Sequence, residues 1–348
     1  MKAPLLDHFE ISVPGSIGNL GPGFDTLAVA VQLYLHLDIT VLPGCNQLQF
    51  RFFDCHIDGE NYIERAFRLL AGQAGESHPS LRVDVRSEIP MKGGLGSSAA
   101  ATVAGLRLWE AISGPLPVQG LLNAACALEG HPDNVAASLL GGLTISCQLP
   151  DHSAFAVRLE WPESLRFLVL TPEFSLSTAA SRGVLPEHIP HADAVFNVQR
   201  VALFLQAVQS KNYSLLREAL RDRLHQPFRQ HLVPGLRELL TLEHPDLLGV
   251  CLSGAGPSIV AFAERNLDAV EEALRDGFSS YTAHAALARH QKNAEASVEL
   301  GADGESVMPR SSLGDLPFTI RRLAAHRMDL LRPAQMEETA ASLPSSHS

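Results

Sequence analysis

The stretch Pro90–Thr102, PMKGGLGSSAAAT, sets the tightest constraint on this chain. Three glycines, Gly93, Gly94 and Gly96, precede Ser97, Ser98 and a run of alanines beginning at Ala99, so a permissive loop feeds straight into a helix. The first N–H groups of such a helix have no intrahelical partner, and the aligned peptide dipoles add about half a positive charge there. With no side chains on the glycines to block approach, the junction suits a phosphate group. A capped surface loop has the same ingredients, with Ser97 or Ser98 as the cap, and the stretch alone leaves both readings open. It is not a Walker loop, because no Lys-Ser or Lys-Thr pair follows the last glycine and Lys92 lies upstream. The glycine spacing of the dinucleotide fingerprint is absent as well.

Bulk charge does not help to hold an anion here. The formal net charge is −11, which argues against nucleic acid or an anionic membrane as partner. A nucleotide would have to be gripped by local dipoles, a metal ion and a few basic side chains. A length of 348 residues suits two domains, and 46% hydrophobic with 19% charged residues describes a globular chain. The five cysteines are scattered without CxxC spacing and read as buried thiols in a reducing cytoplasm. Met1-Lys2-Ala3-Pro4 meets Asp7, His8 and Glu10 before any apolar core, so no signal peptide is expected, and no apolar run approaches membrane-spanning length. His188 and His191 are separated by Pro190, which spoils a helical zinc site.

Periodicity divides the chain further. Alternation at Leu35, Leu37, Ile39 and Val41 predicts a half-buried strand, repeated at 48–52 and 81–85. Helices are predicted near Tyr62–Leu70, from Ser97 to the stop at Gly114-Pro115, and over Val118–Leu128. Glu129 then sits at a helix carboxyl end, where the dipole disfavours an anion unless something positive lies nearby. The composition shift at Pro150–Ser153 predicts a boundary, giving domains over 1–152 and 153–325. In the second, Val195, Val198, Val201, Leu205 and Val208 predict one apolar helix face, and a strand at 258–262 is followed by a helix through Phe278. An insertion is expected at about 285–315, a last edge strand at 316–323, and a disordered tail over 326–348.

The segments VPGSIGNLGPGFDTLAVAV from Val13, PMKGGLGSSAA from Pro90 and CLSGAGPSIVAF from Cys251 resemble, in order, the three motifs of the GHMP kinases. Asn19–Asp25 and Glu129–Val135 are most similar to the homoserine kinase members of that family. The resemblance implies an α+β fold with an N-terminal ribosomal-protein-S5-domain-2-like domain and a C-terminal ferredoxin-like α/β sandwich. It implies ATP and Mg2+ as cofactors and L-homoserine as the small-molecule substrate, phosphorylated on the way to threonine, with a homodimer as a possible assembly.

The same resemblance assigns residues. ATP would contact Pro90, Lys92, Gly93, Gly94, Leu95, Gly96, Ser97, Ser98 and Ala99, with Asn61 near the adenine. Mg2+ would be held by Ser98 and Glu129, which suits an ion that takes hard oxygen ligands and keeps several waters. Arg182 and Arg229 would grip the substrate carboxylate, Asn19 and Asp25 its amino group, with His131, Thr178, Gly254 and Gly256 completing the site. Asn134 stands where relatives of mevalonate type carry an aspartate base; an amide takes no proton, so it would orient the hydroxyl, with Asp133 as a candidate base. Ile17 and Gly18 depart from the usual small polar or alanine residues. Another GHMP kinase acting on an isoprenoid or sugar alcohol, or a non-catalytic nucleotide-binding protein on the same fold, are the competing readings; Asn134 and the paired arginines favour the amino-acid kinase.

Overall fold

The computed structural model describes residues 7–54, 59–282 and 316–326. Its spine is a long strand, β2 (Leu27–Cys45), flanked along one edge by β1 (His8–Gly18). Leu35, Leu37 and Ile39 face inward on β2 while their neighbours are half-buried, as period-two alternation requires. β3 (Leu48–Phe53) and the helix α1 (Tyr62–Ala74) lead to β4 (Pro79–Ser87), which pairs with β2 from Leu35 onward and in parallel with β3. The helices α2 (Ser97–Ser113), α3 (Val118–Glu129) and α4 (Asp133–Leu140) follow, and then the hairpin β5 (Leu143–Gln148) and β6 (Ala154–Leu159) completes a six-stranded sheet.

The turn at residues 149–153, where composition changes, lies inside that hairpin, with the Leu149 N–H bonded to the Ser153 carbonyl at 2.7 Å. β6 thus belongs to the first sheet by its ladder to β5, and the chain crosses over between Leu159 and Arg166 rather than at 152/153.

The second sheet contains β7 (Arg166–Pro172), β8 (Gly249–Leu252), β9 (Ile259–Ala263) and β10 (Phe318–Leu323) in the antiparallel order β10-β7-β9-β8, the ferredoxin-like arrangement. Between β7 and β8 run α5 (Thr178–Gly183), α6 (His191–Gln209), α7 (Leu216–Ala219), α8 (Gln226–Arg229) and α9 (Leu236–Leu240); α10, over residues 267–282, joins β9 toward β10. Both faces of this sheet are buried. Phe167 and Val169 share one core with Trp161 and Phe204 of α6, while Leu168 and Leu170 pack with Leu236, Leu239, Val270 and Phe278 on the other side. After β10 the chain returns to the first sheet: Ala325 bridges Val31, and the Gln32 N–H bonds to the Ala324 carbonyl at 2.9 Å. One core therefore runs through both halves.

Two expectations shift. α6 buries Phe196, Asn197, Phe204, Ala207 and Val208, leaving Val195 and Val198 exposed. Its inward face is set by the larger phenylalanines and by Asn197, whose amide bonds to the Pro22 carbonyl and to Asp222. Cys126 and Cys251 are buried, but Cys45 and Cys147 are exposed near strand ends. Cys55, the insertion at about 285–315 and tail residues 327–348 lie outside the described residues. No helix among those described is long and apolar enough to cross a membrane.

Candidate active site

A cleft of about 100 Å³ opens at the start of α2, lined by residues of both halves of the chain. Gly96 ends the glycine loop at φ 72°, and a Cβ there would stand 2.3 Å from the Ser16 hydroxyl, so only glycine fits. No side chain caps the helix among the described residues; Ser97, Ser98 and Ala99 line the cleft with Lys92, Gly94 and Gly96, leaving their amides as the anion-seeking end. The loop is braced from both domains. The Ser16 N–H bonds to the Leu95 carbonyl at 3.0 Å, and the Ser253 hydroxyl to the Gly94 carbonyl at 2.6 Å.

Ser98 does not cap α2 but donates its hydroxyl to Glu129, 2.8 and 2.9 Å from the two carboxylate oxygens. Thr102, one turn further along α2 and buried, donates to the same carboxylate at 2.7 Å. The anion at the end of α3 is thus satisfied by two hydroxyls, with its charge uncompensated by these neutral donors. A hydroxyl and a carboxylate on hard oxygen atoms beside a phosphate seat fit the demands of Mg2+.

On the adjacent wall, Asp133 and Asn134 open α4, both buried. Ser16 donates to Asn134 Oδ1 at 2.9 Å and Asn134 Nδ2 donates to Asp133 Oδ2 at 3.2 Å, so the amide has one orientation. His131 Nδ1 meets Asp133 Oδ1 at 2.6 Å. Burial disfavours the imidazolium, but the Asp133 hydrogen bond and charge, with Asp25 behind, outweigh it and raise its pKa. Gly18 acquires its reason here: a Cβ would lie 2.7 Å from Asn134 Nδ2.

The third wall is charged. Arg182 forks onto Asp25 at 3.0 and 2.6 Å. Burial opposes the Arg182 charge, and the paired carboxylate outweighs it to raise its pKa. Arg229 is 1% exposed. Its Nε donates to the Ser181 carbonyl, and Nη1 donates to the Gly254 carbonyl and contacts His225 Nδ1, each at 3.1 Å. Burial and the Arg182 charge push its pKa down to about 10, which still leaves it cationic near neutrality. Asn19 donates to the same Gly254 carbonyl at 3.0 Å and accepts from the Asp25 N–H at 3.0 Å. Both Asn19 and Asp25 take positive φ, 69° and 52°, which these residue types tolerate. They serve the turn and the cleft at once.

Of the expected site residues, Thr178, Gly254 and Gly256 also line the cleft. Pro90, Gly93 and Leu95 shape its loop from behind, with Leu95 fully buried. Asn61 is not a lining residue; its side chain caps α1, accepting from Ile63 and Glu64 N–H at 3.1 and 3.4 Å. Replacing Asn61 by alanine is expected to cost about 1 kcal/mol of stability and to leave KM for ATP within about twofold; a denaturation curve paired with initial rates checks both.

Sequence reasoning missed Thr102, Ser16, Phe24, Ser181 and His225. Thr102 stands four residues after Ser98 and His225 four before Arg229, helical spacings that place them on shared faces. Ser16 and Phe24 carry no such signal. The Phe24 ring lies 5.4 Å from both guanidinium carbons and stacks on His225 at 5.2 Å.

Residues 61–142 match the family described as GHMP kinases N terminal domain, and residues 204–280 that described as GHMP kinases C terminal. Homoserine kinase of Solibacter usitatus is 38% identical over 288 residues, which span 80% of this chain and 94% of that protein. Homoserine kinase of Deinococcus radiodurans is 40% identical over 265 residues, 74% of this chain and 85% of the relative. The crystal structure of homoserine kinase from Cytophaga hutchinsonii superposes with a TM-score of 0.71 at 24% identity, over 80% of this chain and 93% of that one, a likeness of fold. The chain belongs to the GHMP kinase family, among its homoserine kinases.

Proposed function

We propose that this chain transfers the γ-phosphoryl group of ATP to the hydroxyl of L-homoserine, giving O-phospho-L-homoserine. The observation that carries this reading is the meeting, in one cleft, of the free amides of α2 with the Asp25–Arg182 pair and Arg229. The amides and Lys92 hold the phosphates. A zwitterionic amino acid fits between Asp25 and the two arginines because it carries the opposite charge to each: its carboxylate takes Arg182 and Arg229, and its ammonium takes Asp25. Ligand atoms of Asp25, His131 and Asp133 lie within 4.8 Å of one another, an acidic corner suited to that ammonium.

Phosphoryl transfer needs positioning and charge neutralisation more than covalent help. Asn134, locked by Ser16 and Asp133, keeps one Nδ2–H to orient the acceptor hydroxyl. An amide takes no proton, so with Asn134 at this position the hydroxyl proton passes to the transferred phosphoryl group, while Asp133 accepts from His131 and Asn134 and faces the ammonium. Ser98 and Glu129 would hold Mg2+, with Thr102 aiming the carboxylate. When bound, the ion supplies positive charge to the phosphates.

A coupled ADP-release assay comparing homoserine with serine, mevalonate and galactose tests the substrate. Homoserine should lead mevalonate and galactose in kcat/KM by more than about tenfold, the discrimination that one desolvated charge contact provides. It should also lead serine, which carries both charges, because the serine hydroxyl stands one methylene short of the phosphate seat. ADP release indifferent to homoserine, or a preference for mevalonate or galactose, rejects the assignment.

A further inference from the structure

We propose that His225 is a positioning residue for substrate recognition, fixing Arg229 in the orientation that receives the carboxylate and tying it to the loop that receives the ammonium. The inference rests on the homoserine reading above and adds a residue that does not line the cleft.

His225 is fully buried, between Arg229 on one side and Gly21 on the other. A guanidinium can only donate and a carbonyl can only accept. Nδ1, 3.1 Å from Arg229 Nη1, must therefore be the bare nitrogen, and Nε2, 2.7 Å from the Gly21 carbonyl, must carry the hydrogen. The Asp222 carboxylate, itself fully buried and 3.6 Å from Nε2, favours the same tautomer. The ring is neutral, and its two nitrogens face opposite partners. Asp222 in turn is held by the N–H groups of Leu224, His225 and Gln226 and by Asn197, so the ring sits on a rigid base.

The consequence lies in Arg229. Nε is used by the Ser181 carbonyl, and both Nη1 hydrogens are used by His225 and Gly254. Nη2 alone makes no hydrogen bond among the described residues and belongs to a side chain that lines the cleft. Its two N–H groups are the prong left for a carboxylate. Without an acceptor at Nδ1, Nη1 keeps only the Gly254 carbonyl, and two bonds instead of three hold the guanidinium, so its orientation loosens. The other nitrogen of the ring grips Gly21, between Asn19 and Asp25, so the two halves of the zwitterion site share one strut.

Two variants of similar polarity separate this role from simple core packing. His225→Asn keeps an oxygen acceptor near the position of Nδ1. His225→Gln carries its carbamoyl toward Gly21 and leaves Arg229 without that acceptor. The expected result is a KM for homoserine raised at least tenfold in H225Q and within about threefold of wild type in H225N. KM for ATP should stay within about twofold in both, and kcat within about threefold. The preference for homoserine over 3-amino-1-propanol, which lacks the carboxylate, should fall in H225Q by the same factor as KM rises. Equal KM values in the two variants, or KM for ATP rising in parallel, overturns the proposal. Should a variant fail to fold, judged by its thermal melt, nitrogen NMR of the wild-type ring decides. A protonated Nδ1 or a cationic ring at neutral pH overturns the proposal, and a bare Nδ1 with protonated Nε2 supports it. Homoserine-dependent turnover of wild type, run alongside, keeps the underlying reading separate: its absence rejects the substrate, whatever the variants do.

Discussion

Replacing Glu129 by glutamine is expected to lower kcat about a hundredfold to a thousandfold, the range found when one group that meets transition-state charge is removed, while the protein stays folded. The amide oxygen can still accept from Ser98 and Thr102, which now bond at 2.7–2.9 Å, so the junction of α2 and α3 keeps its hydrogen bonds. What disappears is the negative charge. In the proposed site that charge tethers Mg2+ beside the phosphates, so the loss should be partly offset by raising the Mg2+ concentration. Initial rates over a Mg2+ series, with a thermal melt as control, give the answer. A variant with wild-type kcat at low Mg2+ would remove Glu129 from the chemistry.

The second large effect is expected at Arg182. Truncating one arm of a charged pair costs roughly 2–5 kcal/mol. The lower part of that range applies here, because the side chain is 37% exposed and water can replace part of the contact. Arg182→Gln should therefore reduce kcat/KM for homoserine about thirtyfold to a hundredfold, with KM for ATP little changed. It also unpairs Asp25, so the ammonium of an amino alcohol without a carboxylate should bind no worse than before. The discrimination between homoserine and 3-amino-1-propanol must then narrow. If both substrates weaken equally, Arg182 acts through the fold and not through the carboxylate.

The periodic parts of this chain are readable from sequence because their physics is local. The strand alternation of Leu35–Val41, the stop of α2 at Gly114 and the glycine loop before Ser97 need no tertiary information. The place of β6 and the phase of α6 do need it. The β5–β6 turn looks like a linker until its ladder is seen, and the buried face of α6 is set by Asn197 reaching Pro22, 175 residues away. The site divides in the same way. Arg182, Arg229, Asn19, Asp25, Ser98 and Glu129 stand in segments with a family pattern, and the fold brings them to one cleft. Ser16 acts through Asn134, 118 residues distant, and nothing in its immediate sequence marks it, while the spacing of His225 to Arg229 is local but its Gly21 partner lies 204 residues away. Asn61 shows the converse: a side chain in a fitting segment whose observed bonds are those of a helix cap.

Activity depends on the cleft joining a phosphate seat to an amino-acid seat across one reacting oxygen. Phosphorus NMR of the purified chain with ATP, Mg2+ and L-homoserine follows that event directly. The γ-phosphorus signal should decline as a phosphate monoester on homoserine grows in equal amount, with ADP as the only other product. Conversion of the γ-phosphate to inorganic phosphate, or an unchanged ATP spectrum with homoserine present, contradicts it.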